Sequence, residues 1–215
     1  MANVKQQLES PSIPSLGFPP EAYERRHLNE NYSALNGYFR KVTTVLGSLF
    51  GPRGGKFMNN PYGAFQSTID QTAAAANTAY AMTLNTVDYA NGVSVASNSR
   101  ITVADGGIWN LQWSGQFENT DSQDHDVRVW LKINGTVVTG STGFISIPSK
   151  HGSINGHALV GWNYFLSLNA NSYVELWWET ENTAISIQAY AASGNYPSTA
   201  SLIATMSFVS NLPTI

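Results

Sequence analysis

Asp121, Asp124 and Asp126 fall within six residues, and His125 stands between the last two. Three carboxylates and an imidazole on a short polar stretch are donors that a hard cation such as calcium uses. The spacing lacks the glycine and the distal glutamate of a calcium loop, so the reading is a polar tip between two strands, with no metal assigned. Glu175, Glu179 and Glu181 offer a second group of carboxylates. Glu175 and Glu179 share one face of an expected strand with Trp177 between them, about 13 Å apart by strand rise. Glycoside hydrolysis needs its two carboxylates closer than that. An outward Trp130 or Trp177 can instead stack on a sugar ring, although a packed aromatic is the commoner arrangement. His27, His151 and His157 are not joined by Glu-x-x-His or His-x-His spacing, and no nucleophile elbow, phosphate loop or dinucleotide fingerprint is present. No catalytic residue and no cofactor is assigned, and the chain is expected to be non-enzymatic.

Composition points the same way. Hydrophobic residues make up 42% of the 215, enough for a sizeable core. Charged residues make up 12%, about half the usual share. A neutral, hydrogen-bonding surface with a net charge of −3 does not suit nucleic acid. The absence of cysteine excludes disulfides, thiolate zinc sites and cysteine nucleophiles. The N-terminal residues contain no apolar run of signal-peptide length, and no stretch is apolar for long enough to span a bilayer. The expectation is synthesis in a cytoplasm without membrane insertion.

The elements that must position these residues fall into segments. Residues 1–56 hold seven Lys/Arg and four Asp/Glu, and residues 57–215 hold four and ten, balances of +3 and −6. Such asymmetry predicts two parts with different surroundings. Pro11, Pro14, Pro19 and Pro20 make residues 1–20 an extended arm, either a disordered tail or a strap on a neighbouring subunit. Residues 21–50 read as a helix whose first turn holds Pro20 and Glu21 and which stops at Gly51-Pro52. Its apolar residues Leu28, Tyr32, Leu35, Phe39, Val42, Leu46 and Leu49 alternate spacings of four and three. That is a heptad seam, suited to helix self-association and attachment. Residues 51–64 form a linker loop.

From residue 65 to 215 the period changes to two. Trp109, Leu111, Trp113 and Phe117 alternate with Asn110, Gln112, Ser114 and Gln116. Val127, Val129, Leu131 and Ile133 alternate with Arg128, Trp130 and Lys132, and Asn134-Gly135 marks a hairpin. Further strands read at 157–168, 173–179, 184–191 and 200–209. The strand around Trp162 and Tyr164 is apolar on both faces, as is 200–209. Such strands need a further layer or a partner subunit, and with no spare helix to supply a layer the reading is a partner, with Trp130, Trp162, Tyr164 and Trp177 as interface or surface aromatics. The fold class is a mainly β antiparallel jelly-roll sandwich.

This order of strands resembles the C1q/TNF-like trimeric jelly roll. The resemblance rests on Ile101-Thr102-Val103-Ala104-Asp105-Gly106-Gly107-Ile108-Trp109, on the hairpin Leu131-Lys132-Ile133-Asn134-Gly135-Thr136, and on Leu168 to Leu176. In the last, Asn171-Ser172 stands where glycine and a charged residue are usual. Pro19-Pro20-Glu21-Ala22-Tyr23, Pro61 to Thr72 and Asn163 to Trp178 are similar to a group of tailed-bacteriophage virion proteins that join such a helix to such a jelly roll, over about residues 19–210. The resemblance implies a homotrimeric capsid decoration or cement protein at the virion surface. Its arm and helix would attach it to the major capsid protein or another virion component, and its jelly roll would project. The alternative is a tail-fibre or tail-tip adhesin that binds a host-surface glycan.

Overall fold

The computed structural model describes residues 11–16, 18, 20–50 and 60–212. The first ten residues of the arm, linker residues 51–59 and the Leu49 side chain lie outside the described residues. The chain divides between Asn59 and Asn60 into two units.

In the first unit, helix α1 spans Arg25–Phe50, four residues shorter at its start than the sequence predicts. Glu21 and Ala22 form a bend. The hydrogen-bond ladder begins where Leu28 N–H donates to the Glu24 carbonyl at 3.2 Å. Pro20 and Glu21 therefore precede the first turn rather than forming it. Arg26 and Glu30 pair one turn apart at 2.8 Å, on an exposed flank.

The second unit is an antiparallel β-sandwich. Eight strands carry it: β1 Tyr62–Ser67, β2 Arg100–Val103, β3 Gly107–Asn119, β4 His125–Ile133, β5 Gly143–Ile147, β6 Gly156–Leu168, β7 Tyr173–Thr180 and β8 Leu202–Ser210. The first strand thus begins three residues before the expected boundary at 65. Pairing is nested: β1 with β8, β2 with β7, β3 with β6 and β4 with β5. This is one long hairpin. Side-to-side pairing of β3 with β8 and of β4 with β7 rolls it into two sheets, an arrangement compatible with a jelly roll. The first sheet holds β1, β3, β6 and β8, and the second β2, β4, β5 and β7. Thr86–Asn91 and Val93–Ala96 extend one sheet each. The chain passes between them at Gly92, whose φ of +68° suits glycine.

The core follows the expected alternation. Trp109, Leu111, Trp113 and Phe117 from β3 are buried, facing Val127, Val129 and Leu131 from β4. Phe117 meets Trp178 edge-on at 6.1 Å, and Trp109 meets Phe208 at 5.4 Å. Asn134 and Gly135 both have positive φ, as the tight hairpin turn requires. The strand expected at 184–191 contracts to Ile185–Ile187. Beyond it the chain folds on itself, and Tyr190 pairs with Thr199. Among the described residues, no helix is long and apolar enough to cross a membrane.

Two glycines distinguish required from dispensable backbone space. A Cβ at Gly156 would overlap the Pro148 carbonyl oxygen, whereas one at Gly37 would meet nothing within 4 Å. Gly156→Ala is expected to destabilise the sandwich by about 1–3 kcal/mol. Gly37→Ala should favour α1 by about 1 kcal/mol. Chemical denaturation and far-UV circular dichroism of the two variants check both outcomes.

Candidate functional site

The heptad seam lies open. Leu28, Tyr32, Phe39 and Leu46 are exposed along the helix, Phe39 at 60%, and Leu35 and Val42 are half-buried. A hollow of about 380 Å3 lies between arm residues such as Leu16 and the first helical turns, lined also by His27 and Leu28. His27 is not free, since Asn31 Nδ2 lies 2.9 Å from its Nε2.

The structure does not bring the three aspartates together. Asp126 belongs to β4, and its N–H donates to Glu181 Oε1 at 3.0 Å. Asp124 accepts from Ser149 N–H at 2.7 Å. Asp121 lies 2.8 Å from His125 Nε2, which is also 2.9 Å from Asn182 Nδ2. His125 Nδ1 is 3.5 Å from Glu181. Buried Asn119 braces the turn: its Nδ2 donates to the Gln123 carbonyl at 2.8 Å, and its Oδ1 accepts from Asp121 N–H at 2.9 Å. Among the described residues, no group of three or more metal-ligating side chains converges. The cluster is a clasp that ties the β3–β4 turn to the end of β7.

On the outer face of the second sheet, cross-strand partners satisfy one another. Arg128 Nη1 donates to Glu179 at 2.6 Å, and the guanidinium lies 5.3 Å from the Phe144 ring centre. Trp130 stands opposite Trp177, and the Lys132 ammonium sits 3.3 Å over the Trp177 ring. A lysine thus occupies the platform that Trp177 would offer a sugar. Glu175 is buried, accepting from Ser99 Oγ at 2.7 Å with Arg100 at 3.5 Å. The Glu175–Glu179 face is therefore an ion-paired ladder with no free carboxylate pair.

Trp162 and Tyr164 lie opposite buried Trp113 and Leu111, hence on the core side of edge strand β6. They stack at 5.6 Å. The Trp162 ring fills the space that a Gly143 side chain would take, and Tyr164 donates to the Ser141 carbonyl at 2.8 Å. Half-buried Tyr164 packs on the core, and Trp162, still 47% exposed, caps the gap between β5 and β6 at the surface. Residues of the opposite parity on β6 are open, Leu159 at 68% and Phe165 at 65% exposure. Between and beside them β3 and β8 present Asn110, Gln112, Ser114, Gln116, Ile203 and Thr205, all uncharged, and Glu118 with His157 lies at the Leu159 end of the face.

A cluster of residues from distant strands escapes sequence reading. Tyr190 donates its hydroxyl to Glu118 at 2.9 Å, and the same oxygen lies 3.1 Å from His157 Nδ1. Burial, and then the Glu118 carboxylate, push the Tyr190 phenol above its ordinary range. These residues are 33 and 72 positions from Tyr190, so no local spacing announces them. No protein-family model matches the chain, and no curated protein matches it.

The clasp makes stability depend on acid. The His125 ring bonded to Asp121 holds that carboxyl below its ordinary range, with help from Ser122 N–H. Ser149 N–H lowers Asp124, and Asp126 N–H lowers Glu181. Groups lowered by folding stabilise fully above the ordinary carboxylate range, near about 4. That contribution is lost as pH falls through the lowered values. The melting temperature should therefore drop on acidification below that range. Asp121→Asn should lie below wild type at neutral pH and converge with it in acid. Parallel curves from calorimetry would contradict the role given to Asp121.

Proposed function

We propose that this chain is a non-enzymatic structural protein of a tailed-phage virion, a homotrimeric capsid decoration protein attached by its arm and helix. The observation that carries the reading is the exposed seam of α1. Its apolar residues repeat every 3.5 positions over 26 residues of helix, about 39 Å of length. In water such a stripe gains nothing, and burying each large apolar side chain contributes about 1.5–3 kcal/mol. A helix with this pattern is suited to copies of itself. The nested β pairing supports the C1q/TNF-like side of the reading, and the mostly uncharged outer face with Leu159 and Phe165 supports a second surface of subunit contact. The +3 balance of residues 1–56 suits attachment to an acidic shell. The ion-paired carboxylates and the lysine-capped Trp177 favour a structural role over sugar cleavage.

A decoration protein stabilises the assembled shell because it binds that form and not its free subunits. Particles lacking this protein should therefore burst at lower temperature or milder osmotic shock than complete particles, and adsorb to cells normally. Particles equally robust but unable to adsorb would overturn this reading in favour of a tail-tip adhesin.

A further inference from the structure

On the first sheet, the turn after β1 and the long loop before β8 enclose a groove of about 560 Å3. Gln66, Ile69, Asp70, Tyr190, Ser198 and Thr199 line it. Its walls are built by the chain itself. Ala189 N–H donates to Asp70 Oδ1 at 2.9 Å, and the Gln188 amide, turned to donate, reaches Oδ1 and Oδ2 at 3.0 and 3.1 Å, which leaves Oδ2 the freer acceptor. Tyr190 and Thr199 exchange both backbone hydrogen bonds, at 3.0 and 2.8 Å. Buried Ser201 donates its hydroxyl to the Ile69 carbonyl at 2.6 Å and its N–H to Ser67 at 2.9 Å. The Tyr190 ring is held from behind by Glu118 and by an edge-on contact with His157 at 5.8 Å.

The chemistry of this lining is specific in kind. No Lys, Arg or His lines the groove among the described residues, and its one charge is the Asp70 carboxylate. Phosphate, sulfate and acidic sugars would meet repulsion without a counter-charge. A carboxylate accepts strong hydrogen bonds from hydroxyl groups. The Ser198 and Thr199 hydroxyls add groups that both donate and accept, and Tyr190 and Ile69 supply apolar surface for the C–H face of a ring. The volume lies within the range of small-ligand sites. We infer that this groove binds a neutral polyhydroxylated ligand, a hexose unit of a glycan, with Asp70 as its principal acceptor. Leu159 stands opposite Gln116 on β3, two residues from Glu118, whereas Phe165 lies opposite Asn110. Eight residues of strand, about 26 Å, separate that position from Glu118. The inference uses no residue of the helix seam and so does not depend on whether the protein decorates a head or tips a tail.

Saturation-transfer NMR on the full chain tests it, with methyl glucoside, methyl galactoside, methyl mannoside and N-acetylglucosamine as probes. Glucuronate and N-acetylneuraminate serve as acidic counterparts. At least one neutral probe should show ring-proton saturation that a second addition of the same sugar competes away, and the acids should show none. Asp70→Asn keeps the acceptor for Ala189 and should weaken the response roughly tenfold or more. Ser198→Ala, at an exposed loop position, should weaken it without touching the frame. Silence with every neutral sugar, equal binding of the acids, or unchanged binding by both variants would each overturn the inference.

Discussion

Strand β3 has hydrogen-bonded neighbours along both edges: β6 on one side, and β8 followed by Ile185–Ile187 on the other. Its side chains alternate, so its register decides which face of the whole sheet is apolar. A slip of one residue would turn Trp109, Leu111, Trp113 and Phe117 outward and bring Gln112, Gln116 and Glu118 into the core. Four large side chains at about 1.5–3 kcal/mol each amount to roughly the stability of a whole domain. The β6, β8 and Ile185–Ile187 pairings of the first sheet are all made on this strand. The Tyr190–Glu118 bond and the Asn119 brace sit at one end of the same strand, so the groove and the clasp are positioned by it as well.

The two outer faces of the sandwich meet water in different ways. On the second sheet, Arg128, Lys132, Glu175 and Glu179 pair across strands and cover the aromatics between them. Phe144, opposite Arg128, stays 69% exposed on that face. On the first sheet, the centre of the outer face holds amides, hydroxyls and open Leu159 and Phe165. Desolvating such a surface removes no charge from water, so the cost of burying it against another subunit is small. The contrast in charge favours association through the first sheet, although each face keeps an open aromatic ring.

The sequence made β3, β4 and the Asn134-Gly135 hairpin legible, because half-buried strands alternate strictly and that turn demands positive φ. The seam of α1 was legible for the matching reason, a sustained period of 3.5. Thr86–Asn91 escaped because it is an edge strand whose central residues are all exposed, so no alternation marks it. The next strand, Val93–Ala96, which pairs with β2 in the other sheet, is too short to show a period. Trp162 and Tyr164 read as interface or surface aromatics; Trp162 is exposed, and what the sequence does not reveal is that the pair also caps the gap between the sheets. The missing signal was Gly143, where a bare backbone in one sheet receives a ring from the other. The Asp121–Asp126 run read as a polar tip with a cation loop as the rival, because spacing along the chain does not reveal that the Asp121 and Asp124 carboxylates have partners of their own.

The central claim is that the exposed seam of Leu28, Tyr32, Leu35, Phe39, Val42 and Leu46 is covered by copies of itself. Native mass measurement of the purified full chain at micromolar concentration tests that claim most directly. The account predicts a mass of three chains, reduced to that of one chain by Phe39→Asp. A wild-type protein with the mass of a single chain would contradict it.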